Sequence, residues 1–245
     1  MPFRFSILDQ SQISQGQTAR EALADTVRLA VHAEQWGYTR FWVSEHHDAK
    51  TLAGSSPEIL ISHIGAKTSS IRLGSGGVML PHYSAFKVAE NFNLLENLYP
   101  GRIDAGVGRA PGGMPRASFA LSNGRLRDAG RFPEQLDELR MYLEGSIPES
   151  HDYYGMNATP VPRKRRRSGC SAQVRAPRNW PQKKACRICL PISSTGKAGR
   201  NLPPTTETTS FPIMALNRIR VSRFSPFVRK LLKKPNISLL HSTYR

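Results

Sequence analysis

The first 145 residues alternate between two patterns of hydrophobic and polar positions. Four runs rich in β-branched and aromatic residues predict strands, and a segment with apolar residues near helical spacing predicts a helix after each one. The predicted strands are Phe3–Asp9, "RFWVSEHH", "IRLGSGGVMLP" and "RIDAGVGRA". The predicted helices are Thr18–Gln35, Pro57–Ser69, Ser84–Tyr99 and Phe132–Glu144. Thr18 and Glu21 predict a capping box at the start of the first helix, and Gly37 predicts its end.

This repeated alternation of strand and helix is typical of parallel βα units joined by right-handed crossovers. Each predicted strand ends in glycine, charged or imidazole residues, which suits a barrel whose chemistry lies at the carboxyl ends of its strands. We therefore predict an α/β fold of the TIM (β/α)8-barrel type with about its first four units intact. The prediction assigns 1–160 to this half barrel, and 161–245 to an irregular or disordered tail without a stable fold.

Charged residues are distributed unevenly along the chain, and this changes what the net charge of +17 implies. Residues 1–162 carry 15 Lys and Arg against 17 Asp and Glu, whereas residues 163–245 carry 20 basic residues and the single acid Glu207. A basic chain suggests a nucleic-acid binder, but here the excess belongs to the tail alone. The front part has the composition of an ordinary cytoplasmic domain, and we expect no specific nucleic-acid partner.

The three cysteines also lie in the tail, where Cys186 and Cys189 have C-x-x-C spacing. A structural zinc site needs four ligands, and the tail supplies only one histidine, His241, so we expect no metal. No stretch reaches the length of a membrane span, and the N-terminus lacks a signal-peptide pattern. The sequence therefore predicts a cytoplasmic protein with no membrane partner.

Polar and glycine residues at three strand ends are candidates for chemistry. Glu45, His46 and His47 follow the second strand, so that one imidazole can face the barrel mouth while the other supports it. A structural histidine pair bonded to carbonyls is the alternative. Gly76–Gly77 favours either the close approach of a flat cofactor or a β-bulge. Arg109 ends the fourth strand and is suited to hold a phosphate or an electron-rich ring edge.

The motifs around these residues carry a family resemblance. "W-x-x-E-H-H", "LPHYSAFKVAE" and "P-G-R-I-D-x-G-x-G-R" occur in order within residues 1 to about 160. In them the chain resembles the luciferase-like flavin-dependent monooxygenases of the bacterial luciferase family, which adopt a TIM barrel. The resemblance implies that Glu45 and Gly76–Gly77 line the flavin and that Arg109 contacts FMN. It makes His46 the catalytic imidazole, with His47 beside it as the second catalytic candidate.

The same resemblance implies an activity and its partners. Reduced FMN would react with O2, and a small organic substrate would be oxygenated. A separate NAD(P)H-dependent flavin reductase could supply the reducing equivalents, and an intact member could form a homodimer. A histidine that exchanges a proton near neutral pH suits this chemistry.

The family pattern stops at "RKRRR", which begins at Arg163. When the codons are read one base earlier, 168–174 permit "VWLLGSS", 179–188 permit "ELAAEKGLPY" and 206–210 permit "YRNNF". All three resemble family segments and share one frame and order. We therefore predict a frameshift close to Val161–Arg167, either a mutation or a sequencing error. Since the family's phosphate-binding segment falls in this region, we expect impaired activity and poor FMN binding.

Two other interpretations of the tail remain open. A basic run such as "RKRRR" would also serve as a nuclear address or as an arm that binds phosphate without sequence specificity. The alternative function is therefore a non-enzymatic truncated product whose tail binds anions or nucleic acid non-specifically.

Overall fold

A computed structural model describes residues 5–125 and 128–163, together with 171–173 and 213–215. The strands are β1 Ser6–Asp9, β2 Arg40–Val43, β3 Arg72–Ser75, β4 Val78–Met79, β5 Ile103–Asp104, β6 Gly106–Gly108, β7 Ser171–Gln173 and β8 Ile213–Ala215. The helices are α1 Ala19–Gln35, α2 Pro57–Gly65, α3 Ala85–Leu98, α4 Pro115–Leu121 and α5 Phe132–Glu144. Short 3-10 helices span Leu80–His82 and Ala129–Arg131.

The chain divides into two compact units, Met1–Met214 and Ala215–Arg245, with β8 across their boundary. Helices α1 to α5 and strands β1 to β7 belong to the first unit. Beyond residue 163 the structure describes β7 and β8. The three cysteines lie outside the described residues, and so do the hidden family segments apart from Ser171–Gln173.

The strands of the first unit pair in parallel, as the sequence predicts. In one sheet β1, β2, β3 and β5 are neighbours, with Leu8 opposite Trp42, Trp42 opposite Gly74 and Gly74 opposite Asp104. In a second sheet β4, β6 and β7 are neighbours. With helices between successive parallel strands, this arrangement confirms the α/β class.

The third and fourth predicted strands are each divided in two. Between β3 and β4 the chain passes through Gly76 and Gly77, which are joined by a cis peptide bond. Ala105 separates β5 from β6, and the hydroxyl of Ser75 both donates to the carbonyl of Gly106 and accepts from its N–H. The side-chain hydroxyl thus replaces part of the backbone ladder where the strands are interrupted.

The helices begin and end for identifiable reasons. Thr18 caps α1 and exchanges hydrogen bonds with Glu21, which confirms the predicted capping box. Gly37 follows the helix with φ +78, a conformation that favours glycine. The second helix ends at Gly65 rather than at the predicted Ser69. The N–H groups of Ser69, Ser70 and Ile71 instead donate to the carboxylate of Glu34 on α1.

The hydrophobic core lies between the sheet and the helices. Phe41 and Val43 of β2 and Leu73 of β3 are almost fully buried on this side, together with Ile61 and Ile64 of α2. Trp42 and Gly74 alternate with these residues and therefore lie on the opposite face, toward the barrel interior. The ring of Trp42 occupies the space beside Gly74, where an added Cβ would lie 2.5 Å from ring atoms.

The start of the strands is fixed by charge pairing. Asp104 is buried and accepts hydrogen bonds from Arg40, at 3.0 Å, and from Arg72, at 2.9 Å from Nε. Arg40 and Arg72 are the first residues of β2 and β3. These charges therefore hold the amino ends of the strands, at the opposite end from the candidate site.

The segment before residue 163 is attached to α3. The side-chain amide of Asn93 donates to the carbonyl of Ala158 at 2.7 Å, and that of Asn97 donates to the carbonyl of Pro160 at 3.1 Å. Both acceptors flank the cis bond between Thr159 and Pro160. The described N-terminal part thus ends on a hydrogen-bonded contact.

None of the helices in the described part of the chain combines the length and the apolar character that crossing a bilayer requires.

Candidate active site at the carboxyl ends of the strands

The predicted site residues follow three parallel strands at the same edge of the fold. Glu45, His46 and His47 come after β2, Gly76 and Gly77 come after β3, and Arg109 comes after β6. Because these strands run in the same direction, their carboxyl ends lie on one side. The topology therefore brings the predicted residues to one edge.

Glu45 is the centre of a buried hydrogen-bond network. Its side chain is enclosed, with 0% exposure for the residue. Oε1 lies 2.7 Å from Nε2 of His47 and accepts from the hydroxyl of Tyr83 at 2.8 Å. Oε2 accepts from the backbone N–H of Met79 at 2.9 Å. Both oxygens are thus occupied by protein donors, which is how a fully buried carboxylate is accommodated.

His47 is held on both its backbone and its side chain. Its N–H donates to the carbonyl of Gly112 at 2.9 Å, and the residue forms a parallel bridge with Gly113. A Cβ added at Gly113 would lie 2.6 Å from the carbonyl oxygen of His47. The "PGG" loop can therefore approach this strand end only because it lacks side chains there.

His46 differs from its neighbour. Its backbone N–H donates to the carbonyl of Gly54 at 2.8 Å, and its half-buried ring has no hydrogen-bond partner among the described residues. Burial, followed by the proximity of His47, lowers the pKa of His46, and the charge of Glu45 only partly opposes this shift. The ring is thus favoured in its neutral form, which accepts a proton.

Two groups that interact with the charge of Glu45 have shifted pKa values. Burial, and then the charge and hydrogen bond of Glu45, raise the pKa of the Tyr83 hydroxyl, so Tyr83 remains a donor at neutral pH. Burial also raises the pKa of Glu58 on α2, to which the charge of Glu45 adds, while a hydrogen bond with Asn91 opposes the shift. The site therefore contains a second carboxyl group that binds its proton more tightly than usual.

The glycines at 76 and 77 are required by the protein's own packing. A Cβ at Gly76 would lie 2.8 Å from Cδ1 of Leu8, and one at Gly77 would lie 3.0 Å from the carbonyl oxygen of Gly106. Close approach of a cofactor is therefore not needed to explain either residue. A role for them in lining a flavin stays a prediction.

Arg109 is exposed and stands directly after β6, at the same edge. Next to it, the loop that contains Pro111 contacts His82, whose Nε2 lies 3.0 Å from the Pro111 carbonyl oxygen. The loop is therefore held against the end of the 3-10 helix Leu80–His82, directly before Tyr83.

Sequence reasoning missed several members of the site. Tyr83 lies 38 residues from Glu45, and nothing local to the chain indicates their contact. Ser44 is buried, yet its hydroxyl has no hydrogen-bond partner among the described residues. Ser44 lies two residues beyond Trp42 and therefore on the barrel-interior face. The serine in "WVSEHH" was the signal available in the sequence. It did not indicate an unsatisfied hydroxyl, because the hydroxyl of a buried serine usually has a hydrogen-bond partner.

No group of three or more His, Cys, Asp or Glu side chains that could hold a metal ion occurs in the part of the chain that the structure describes.

The profile of the luciferase-like monooxygenase family matches residues 1–184. The chain belongs to this family. Its match extends past the predicted frame change at Val161–Arg167, and the frame change itself stays a prediction.

Curated relatives match a shorter part. The uncharacterized protein YwcH of Bacillus subtilis is 63% identical over 155 residues, which cover 63% of this chain and 46% of the relative. N-acetyl-S-alkylcysteine monooxygenase of the same organism is 50% identical over 157 residues, covering 64% and 47%. The chain thus spans about half the length of the curated relatives it matches.

Solved structures confirm the barrel-type fold. Apo-MsnO8 superimposes with a TM-score of 0.61 and 38% identity, over 70% of this chain and 49% of the other. The oxygenating constituent of 3,6-diketocamphane monooxygenase from Pseudomonas putida, solved with FMN, gives 0.53 and 22% identity, over 59% and 40%. At that identity the second likeness concerns the fold alone.

Proposed function

We propose that this chain contains the proton-transfer residues of an FMN-dependent monooxygenase, in which reduced flavin and O2 oxygenate a small organic substrate. The observation that carries the proposal is the cluster of Glu45, His46, His47 and Tyr83 at the carboxyl edge. It combines a neutral, half-buried imidazole with a second imidazole fixed by a buried carboxylate. Family membership supports the reaction class.

The residues at the strand ends fit the flat ring of a flavin. On the interior face, Trp42 and Leu8 provide an apolar floor beside Gly74 and Gly76. Above Trp42 the buried hydroxyl of Ser44 lacks a partner among the described residues, so a polar ligand edge would satisfy it. Arg109 supplies an exposed cation at the rim, suited to an anionic group. Bound there, FMN would supply the reaction with O2.

Within this proposal each described residue has a limited task. His46 accepts or returns a proton at its ring, because burial keeps it neutral. Glu45 holds His47, and Tyr83 donates to the carboxylate of Glu45. Leu8 and Trp42 exclude water from the floor of the site. The substrate enters this proposal only as a small organic molecule.

The partners belong to the same proposal. As the family resemblance implies, a separate NAD(P)H-dependent flavin reductase would supply the reduced FMN. A homodimer is supported by exposed apolar side chains on the neighbouring helices α2 and α3, namely Ile59, Leu94 and Leu98. Sedimentation of the wild-type chain and of Ile59→Lys tests the dimer, which the lysine should weaken.

Titration of the 245-residue chain with FMN and with riboflavin, followed by flavin fluorescence at two salt concentrations, tests the flavin site. We expect weak binding of both ligands with little dependence on salt, because the ring contacts are present. Binding of FMN alone that disappears at high salt would instead indicate capture of its phosphate by the basic tail. That outcome, or no binding of either flavin, would contradict the proposal.

A further inference from the structure

The hydrogen bonds around Glu45 determine which nitrogen of His47 carries its proton. Met79 N–H and Tyr83 O–H both donate to this carboxylate, at 2.9 and 2.8 Å. A carboxylate has only acceptor oxygens, so it offers His47 nothing but an acceptor. The 2.7 Å contact between Glu45 Oε1 and His47 Nε2 therefore requires a hydrogen on Nε2.

We propose that Glu45 and Tyr83 are positioning residues that fix His47 as the Nε2–H tautomer, so that Nδ1 becomes a second proton-accepting atom of the site. Nδ1 makes no hydrogen bond with a described residue, and the side chain retains 12% exposure. A ring nitrogen left open in this way takes a hydrogen bond from an O–H or N–H group of water or substrate.

The fold opposes other orientations of this ring. The backbone of His47 is tied to Gly112 and bridged to Gly113, and the Cδ2 edge of the ring faces Gly112. Tyr83 OH lies 3.5 Å from His47 Nε2, on the same side as the carboxylate. A ring flip would place a carbon against Glu45 and forfeit a charge-assisted hydrogen bond. Among the described residues, the titratable groups that interact electrostatically with the pair are His46, Tyr83 and Glu58.

This inference rests on the proposed function in one respect, namely the reaction in which the proton would be used. The geometry around His47 does not involve a flavin, and its test needs none. The two proposals can therefore fail separately: the flavin titration decides the first, and the state of the His47 ring decides the second.

Long-range 1H–15N spectra of the ring nitrogens in the 15N-labelled 245-residue chain provide the test, at a pH where the rings are neutral. The signals of His47 are identified by their loss in His47→Gln. We expect the Nε2–H tautomer alone. An Nδ1–H tautomer, or an even mixture of the two, overturns the inference.

Two variants then ask whether the named residues cause this state. In Glu45→Gln we expect a mixture of tautomers and solvent exchange of the Nε2 hydrogen that is about tenfold faster, since one charge-assisted hydrogen bond is lost. In Tyr83→Phe the tautomer should remain and the exchange should accelerate less. Glu138→Gln and Tyr142→Phe are matched controls, because that pair lies on α5 with a 3.3 Å hydrogen bond of the same kind.

If Glu45→Gln does not fold, the inference is decided by the His47 tautomer of the wild-type protein and by the exchange rate in Tyr83→Phe. A folded Glu45→Gln protein whose His47 ring keeps the wild-type tautomer and exchange rate contradicts the role of Glu45. The same result in Tyr83→Phe contradicts the role of Tyr83.

Discussion

The ring of Tyr99 lies against the backbone of Gly65 so closely that a Cβ at position 65 would clash with ring carbon Cε2. Tyr99 follows α3 and Gly65 ends α2, so this contact sets how closely the two helices pack. The ring cannot easily move away, because its hydroxyl donates to the carbonyl of Ser62 at 2.6 Å.

Gly65→Ala should therefore lower the free energy of unfolding by about 1–3 kcal/mol, as overpacking does in cores. Urea denaturation of the 245-residue chain measures the change. Gly65→Ala should lower the free energy of unfolding less in the Tyr99→Leu background than in the wild-type background. Equal losses in both backgrounds would show that Tyr99 is not the obstacle.

Glu34 should contribute stability that depends on pH. Burial opposes ionisation, but donation from the N–H groups of Ile71, Ser70 and Ser69 outweighs it and lowers the pKa of Glu34 to about 2. A depressed folded pKa gives stability that is complete above the unfolded value near 4.5 and is lost as the pH falls toward 2. Glu34→Gln should thus cost on the order of 1–2 kcal/mol at pH 7, allowing for solvent screening.

Urea denaturation at pH 7, 5 and 3.5 checks this dependence. The difference between wild type and Glu34→Gln should be the same at pH 7 and 5 and should shrink at pH 3.5. Glu134→Gln serves as the control, because Glu134 is exposed and pairs with Arg131 on the surface. A difference that grows on acidification would contradict the assignment.

Ser44 and Ser75 provide a matched pair of buried serines at neighbouring strand ends. The Ser75 hydroxyl donates to and accepts from Gly106, whereas that of Ser44 has no partner among the described residues. Ser75→Ala should cost about 1–3 kcal/mol, since it leaves a buried backbone group unsatisfied. Ser44→Ala should leave the free energy of unfolding unchanged or raise it by up to about 1 kcal/mol. A clear loss in Ser44→Ala would reveal a partner such as a buried water.

The sequence was most informative where local chemistry decides the structure. The capping box at Thr18 and the bounds of Phe132–Glu144 follow from neighbouring residues, and both are confirmed. The end of α2 at Gly65 was predicted wrongly, because the competing acceptor is Glu34 on another helix. Helix α4 was missed, since it lies inside a loop rich in glycine and proline.

The candidate site also combines residues indicated by a local motif with residues that only the fold brings together. The motif "SEHH" indicated Glu45, His46 and His47, but no local pattern could reveal that Tyr83 and Met79 complete the environment of the carboxylate. The breaks at Gly76–Gly77 and at Ala105 also depend on pairing between distant strands. Contacts of this kind require the fold and cannot be read from periodicity.

Sequencing the DNA around the codons for Val161–Arg167 tests the predicted frame change. We expect that adding one base near codon 163, or removing two, opens a frame that encodes the remaining barrel units. A stop within about 30 codons in the shifted frame, where the remaining units of a barrel of ordinary length need far more, would contradict the prediction. So would a genomic sequence in which that frame shows no family-like segment.

In the frame-restored protein, His46→Ala should slow flavin-dependent oxygenation while leaving FMN binding largely intact. Loss of a general acid or base typically costs about 10²–10⁴ in rate. Single-turnover rates and FMN titration separate the two effects. His63→Ala is the control, because that histidine is exposed on α2. An unchanged rate in His46→Ala would return His46 to a structural role.

The attachment of residues 158–160 to α3 through Asn93 and Asn97 has a consequence for how the gene tolerates damage. These hydrogen bonds close the N-terminal part before codon 163, so an error downstream does not delete any contact of the Glu45 network. The first 163 codons therefore encode His47, Met79 and Tyr83, which contact Glu45, whatever reading frame follows them.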